Sequence, residues 1–89
     1  MSDSEQKLLT FPCIYPIKVM GAKCEEFDLE VISIIRQHVP DLGEAAVKTR
    51  DSRNGRFLAV TITINATSQE QLDAIYMALS SHPKVLMAL

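Results

Sequence analysis

The cysteines and histidines of this sequence, which could bind zinc or act in catalysis, are Cys13, Cys24, His38 and His82. Structural zinc sites usually take their ligands in pairs separated by about two to four residues. These four residues lie much farther apart along the chain, so neither a zinc site nor a Cys-x-x-Cys redox motif is expected. We therefore predict two reduced thiols and no bound metal.

Each of these residues also has a simpler structural explanation. His38 and His82 fall near the predicted C-termini of two helices, where the helix dipole favours a partly charged imidazole without any catalysis. Cys24 falls near a helix N-terminus, where a thiol is either reactive or ordinary, and the neighbouring Glu25 and Glu26 oppose a thiolate. The sequence has no glycine-rich phosphate loop, no Ser/His/Asp set and no carboxylate pair beside an electrophile. We therefore expect neither an enzyme nor a cofactor.

The size and charge of the chain limit its class. With 89 residues, of which 47% are hydrophobic, the chain is long enough for one two-layer domain and too short for two. A net charge of -2 and a sequence pI near 5.6 provide no overall positive field, which argues against a nucleic-acid or anionic-membrane binder. No apolar run approaches the roughly 18 residues of a membrane helix, and residues 1–9 do not resemble a signal peptide. We expect a cytoplasmic protein whose partner is another protein or a small molecule.

The clearest local pattern is a strand that ends where a helix begins. Apolar residues alternate with smaller or polar ones over residues 57–65, which predicts a strand with one buried face. Thr67 and Glu70 then match a capping box, in which a hydroxyl and a carboxylate satisfy free amides of a helix's first turn. Apolar residues at helical spacing follow, until His82 and Pro83 end the helix.

Two elements are predicted before this strand and helix. A largely apolar run over residues 13–20 predicts a first strand, and Gly21 is expected to supply the turn after it. Acidic residues and a helical repeat then predict a helix that ends by Val39, because Pro40 stops its propagation.

Two further strands complete the set. Alternation over residues 45–50 predicts a second strand, and its charged side chains are typical of a sheet edge. Asn54 and Gly55 then predict a hairpin connection, either as a tight turn or within a longer loop. Residues 84–89 have strand composition again. The order is therefore β-α-β-β-α-β.

This order predicts a ferredoxin-like α+β fold, a two-layer sandwich in which two helices cover one face of a four-stranded antiparallel sheet. We assign residues 11–89 to this single domain and residues 1–10 to a flexible N-terminal arm. The predicted core consists of Ile17, Val19, Val31, Ile35, Val60, Ile62, Ile64, Leu72, Ile75 and Leu79.

The other face of such a sheet is left uncovered, and its predicted residues are apolar and basic. A patch of this kind is expected to meet a second subunit, another protein or the N-terminal arm, and a homo-oligomer is one such arrangement. The residues predicted to form this interaction face are Ile14, Lys18, Met20, Lys48, Arg50, Phe57 and Leu86, with Thr61, Thr63 and Ala88 among them.

Several segments together resemble the YbeD-like family of small bacterial proteins of unknown function. They are Phe11-Pro12, the Lys18 to Gly21 turn, the run from Thr61 to Thr67, Ile75-Tyr76 with Leu79, and the Val85-x-Met87-x-Leu89 terminus. The resemblance covers residues 11–89. It implies a ferredoxin-like fold that is similar to the ACT-type domains that bind small ligands and regulate amino-acid enzymes. By that similarity, Gly21 either brings its backbone close to a small ligand or only permits a turn.

Two classes of function remain open. The first is a non-enzymatic regulatory or adaptor module, with small-ligand sensing as its more specific form. The alternative is an RNA-binding module, because RNA-recognition domains share this topology and use the open sheet face. Such domains stack bases on two or three exposed aromatic rings, whereas Phe57 is the single aromatic residue predicted on this face. The sequence therefore favours the regulatory or adaptor class.

Overall fold

A computed structural model of the chain describes residues 10–52 and 54–89. Its elements, in chain order, are β1 (Cys13–Ala22), α1 (Phe27–Arg36), β2 (Val47–Asp51), β3 (Phe57–Ala66), α2 (Gln69–Ser80) and β4 (Val85–Ala88). The predicted order and the ferredoxin-like α+β fold are confirmed. The arm predicted for residues 1–10 lies outside the described residues, except for Thr10.

The sheet is antiparallel, and its strands lie in the order β2-β3-β1-β4. β1 and β3 form its centre and pair along their whole lengths, from Cys13 opposite Ala66 to Ala22 opposite Phe57. β2 is an edge strand, as its charged residues predict, and β4 forms the other edge. The two long central strands therefore determine which side chains face the helices and which face away.

The core lies between the sheet and the two helices. All ten residues predicted for it are at most 2% exposed. Alternate residues of β1 and β3 supply the sheet side, since successive side chains of a strand point to opposite faces. The buried core also contains Phe27, Val39, Leu42, Leu58 and Ala66.

No helix among the described residues is long and apolar enough to cross a membrane.

The cap of α2 differs from the predicted one by a single residue. The N-cap is Ser68, whose Oγ accepts a hydrogen bond from the Gln71 amide at 3.0 Å. The Gln71 side chain accepts from the Thr67 amide at 2.8 Å and donates to the His38 carbonyl at 3.0 Å. A carboxamide can both accept and donate, whereas a carboxylate at Glu70 could only accept. Gln71 therefore caps α2 and also ties it to the segment after α1.

Two strand boundaries also differ from the prediction. β1 continues through Gly21 to Ala22, so Gly21 is a strand residue rather than the turn. Ala45 and Ala46 belong to a short 3-10 turn, and β2 begins only at Val47. The hairpin between β2 and β3 is the longer loop, with a positive φ of 74° at Gly55.

Candidate functional site

The open face of the sheet is the surface that the helices leave uncovered, and its pattern follows from the strand register. Because side chains alternate along each strand, the residues opposite one another across β1, β3 and β2 share a face. Two adjacent rows on this face are Lys18–Thr61–Lys48 and Met20–Ala59–Arg50. The structure therefore brings together four of the residues predicted for the interaction face. They are Lys18 and Met20 on β1, and Lys48 and Arg50 on β2.

Long side chains surround a small residue at the centre of this face. Met20 is 40% exposed and Met87 is 48% exposed. Met20 lies opposite Met87 on one side and opposite Ala59 on the other, and Phe57 lies two residues before Ala59 on β3. An apolar hollow of about 70 Å³ is lined by Lys18, Val19, Met20, Ala59, Met87 and Leu89. A neighbouring, more polar cleft is lined by Met20, Arg50, Asp51, Ser52, Phe57 and Ala59. Met20 and Ala59 line both, so the two depressions adjoin each other.

Ile14 and Leu86 are exposed but lie outside both depressions. Ile14 is opposite Asn65, near the start of β1, and is 70% exposed. Leu86 is 61% exposed and lies in β4 beside an irregularity in its pairing with β1. These two residues of the predicted interaction face are therefore peripheral to its centre.

The pairing of β4 corrects one part of the predicted face. The register between β1 and β4 shifts between Met20 and Gly21, which indicates a β-bulge. Met87 lies opposite Met20 on the open face, whereas Ala88 lies opposite the buried Val19 and packs against the core. The predicted outward position of Ala88 is therefore wrong, because strict alternation along residues 84–89 does not include the extra residue of a bulge. Sequence reasoning missed Met87 for the same reason.

Gly21 is closely surrounded on the side that faces the helices. A Cβ atom added there would collide with the Lys84 carbonyl oxygen and with the ring of Phe27. Phe27 is fully buried, so its ring has no free space into which it can move. Packing is therefore sufficient to explain a glycine at this position, and a ligand-binding role for Gly21 stays a prediction.

A polar cluster links α1 to the start of β4 beside Gly21. His82 Nε2 lies 2.7 Å from Glu30 Oε1, and Lys84 Nζ lies 3.4 Å from Glu30 Oε2. The Lys84 amide donates to His82 Nδ1 at 3.1 Å, so the neutral ring carries its proton on Nε2 and donates it to Glu30. The hydrogen bond from His82, with a further contribution from Lys84, lowers the pKa of Glu30. The bond to Glu30 raises the pKa of Lys84.

In this cluster His82 has a structural role, because it links Glu30 of α1 to the Lys84 amide. His38 is not part of the cluster. Cys13 and Cys24 are free thiols, and both are partly buried. Within residues 10–52 and 54–89, no group of three cysteine, histidine or acidic side chains is placed to hold a metal ion.

One buried polar atom was not anticipated from the sequence. The hydroxyl of Tyr76, on α2, is buried without a hydrogen-bond partner among the described residues. Burial is the main cause that raises the pKa of Tyr76, and the neighbouring Tyr15 hydroxyl raises it further. Tyr76 therefore contributes mainly as an apolar ring that packs against the core.

Comparisons with known proteins identify a family whose function is unknown. A family described as "Protein of unknown function (DUF493)" matches residues 6–89. A UPF0250 protein of Chromobacterium violaceum is 48% identical over 89 residues, which is all of both chains. Another UPF0250 protein, from Nitrosomonas europaea, is 44% identical over 86 residues and covers 97% of this chain and 99% of its own.

A solved structure supports the fold independently. The solution structure of protein HP0495 from H. pylori matches with a TM-score of 0.77, covering 100% of this chain and 93% of that one. Its sequence is 16% identical, so it shows the fold alone. The sequence matches confirm the resemblance to the YbeD-like proteins, and the chain belongs to this DUF493/UPF0250 family of unknown function.

Proposed function

We propose that this protein is a non-enzymatic, cytoplasmic regulatory or adaptor module that binds a protein partner through the open face of its sheet. The observation that carries the proposal is the apolar hollow between Met20, Ala59 and Met87, with Phe57 beside it. Exposed apolar surface that is contiguous and rimmed by polar groups is typical of protein interaction sites. Methionine, phenylalanine and arginine, which Met20, Met87, Phe57 and Arg50 supply here, are also enriched at protein interfaces.

The test replaces anchors on the open face by glutamate. Met20→Glu and Phe57→Glu place a charge on a surface that the helices do not cover, so both variants should fold and lose partner binding. Leu29→Glu is the matched control, because Leu29 is 61% exposed on α1, in the helical layer. Denaturant midpoints measure the fold, and affinity capture from cell extracts, with sedimentation for self-association, measures binding. Equal capture by all four proteins would contradict the proposal.

Small-ligand sensing is a more specific form of the same regulatory role. Its support is the position of the Glu30, His82 and Lys84 cluster next to Gly21, since the cluster offers groups of both charges to a zwitterion such as an amino acid. Titration with amino acids, followed by amide chemical shifts, should then move the signals of Gly21 and Lys84 first. Unchanged shifts at saturating amino acid would exclude this form and leave the protein-binding form intact.

RNA binding is the alternative from another class, and the cations of the open face favour it. Lys18, Lys48 and Arg50 would attract a phosphate backbone, and such binding weakens steeply as the salt concentration rises. Among the described open-face residues, however, Phe57 alone offers an aromatic ring for base stacking. We expect only weak, non-specific binding of short single-stranded RNA. A submicromolar, salt-dependent complex would favour the alternative.

A further inference from the structure

Among the described residues, the carboxylates lie mainly away from the open face of the sheet. Lys18, Lys48 and Arg50 are exposed on the open face. The described carboxylates lie on the helices, on the segments that flank them, or at the end of β2, as Glu25, Glu26, Asp28, Glu30, Asp41, Glu44, Asp51, Glu70 and Asp73. Asp51 reaches the rim of the open face, where Lys23 pairs with it at 3.0 Å. A protein of net charge -2 therefore presents a locally positive surface.

Lys18, Lys48 and Arg50 lie close enough for their electrostatic potentials to add. Residues two apart on a strand are separated by about 7 Å, which applies to Lys48 and Arg50, and two strand spacings place Lys18 about 10 Å from Lys48. The screening length at physiological ionic strength is about 8 Å, so their potentials overlap at the surface. Within the described part of the chain, none of the three is in an ion pair. Their charge is available to a partner.

The apolar hollow lies directly beside these cations, and its size limits what it accepts. Lys18 lines the hollow, and Arg50 lines the adjoining cleft. The hollow measures about 70 Å³, which is about half the volume of an engineered cavity of about 150 Å³ that binds benzene. A leucine or methionine tip therefore fits better than an aromatic ring.

From this arrangement we infer that the partner is an acidic protein segment that inserts a leucine or methionine into the hollow between Met20, Ala59 and Met87. This inference rests on the proposed function, because it names the chemistry of the partner at the same face. Carboxylates that flank the inserted side chain would meet Lys18, Lys48 and Arg50, which favours the encounter and fixes the orientation.

The positive charge of the open face also disfavours a dimer in which the open faces of two copies of this chain meet. A two-fold contact places the same patch on both sides, so the cations of one copy would meet those of the other. Like charges held opposite one another are destabilising. A different protein with an acidic surface would not be repelled in this way, whereas a second copy of this chain would be.

The experiment is a selection from a random 12-residue peptide display library with the immobilised full-length protein. The enriched peptides should contain aspartate or glutamate beside leucine or methionine, and they should not be retained by Met20→Glu. Neutralising the face with Lys48→Gln and Arg50→Gln together should weaken the best peptide by about tenfold, since each exposed charge pair contributes modestly. The matched control is the double variant Arg36→Gln and Lys84→Gln, which removes the same charge from α1 and from the residue before β4, away from this face, and should bind like the unaltered protein.

The outcomes separate this inference from the proposed function. Enriched peptides that need Met20 but are neutral or basic would overturn the acidic partner and leave protein binding at the open face in place. Peptides that bind the unaltered protein and Met20→Glu equally, or no enrichment at all, would overturn both. Equal weakening by the two double variants would show that net charge, rather than the cations of the open face, determines binding, and would overturn the inference alone.

Discussion

Replacing Gly21 by alanine adds one methyl group where the structure has no room for it. The new Cβ would collide with the Lys84 carbonyl oxygen and with the Phe27 ring. Neither neighbour moves easily. The Lys84 carbonyl belongs to the backbone directly before β4, and the Phe27 side chain is fully buried. Overpacking of this kind costs about 1–3 kcal/mol, and two obstructions place Gly21→Ala toward the upper end. Each kcal/mol lowers Tm by roughly 4–8 °C in a domain of this size.

Chemical denaturation of the variant measures this cost, and the chain offers a matched control. Gly43 has nothing within 4 Å of an added Cβ and a φ of -96°, so Gly43→Ala should be neutral or slightly stabilising. Combining Gly21→Ala with Phe27→Leu should cost less than the sum of the two single changes, because the smaller side chain makes room for the methyl group. A Gly21→Ala protein as stable as the unaltered one would refute the packing explanation and make a ligand role for this glycine more credible.

Three further predictions concern the core, a buried hydroxyl and the acidic pH range. Ile62→Ala should destabilise the fold by about 2–5 kcal/mol, because Ile62 is fully buried; an unchanged denaturant midpoint would mean that the face of β3 is reversed. Tyr76→Phe should leave stability unchanged or raise it by about 1 kcal/mol, since it removes a buried hydroxyl without a partner; a clear loss in thermal denaturation would reveal a partner for that hydroxyl. The pKa of Glu30 is lowered in the folded state, so its ionised form stabilises the fold above pH 4.5, its ordinary value, and this contribution is lost as the pH falls through the lowered pKa. Glu30→Gln should therefore be less stable than the unaltered protein at neutral pH and equally stable at strongly acidic pH, as urea midpoints across this range would show; a constant difference at all pH values would contradict this linkage.

The architecture was predictable because the strongest patterns come from the core. Leu58, Val60, Ile62 and Ile64 alternate in a run that is compatible only with a strand buried on one face, and all four are buried. The helical repeat of Leu72, Ile75 and Leu79 is similarly dictated by burial. Register on the open face then follows automatically, since the residues between core positions must point away from the helices. Lys18, Met20, Lys48 and Arg50 share the open face for this reason.

The details that failed depend on contacts between residues distant in sequence. Ser68 replaces Thr67 as the cap because Gln71 also bonds to the His38 carbonyl on another segment. Met87 replaces Ala88 on the open face because the pairing of β4 shifts beside Gly21. A local pattern contains no information about either contact, and the hollow around Ala59 depends on the second of them.

The central claim is that the open face, rather than the helical layer, contacts a protein partner, and photo-crosslinking in living cells tests it most directly. A photoreactive amino acid at Thr61 lies in the row between Lys18 and Lys48 without removing an apolar anchor. The same amino acid at Leu29, exposed on α1, is the control. We expect a discrete crosslinked protein adduct from position 61 and none from position 29. Adducts from position 29 alone, or from both positions equally, would contradict the claim.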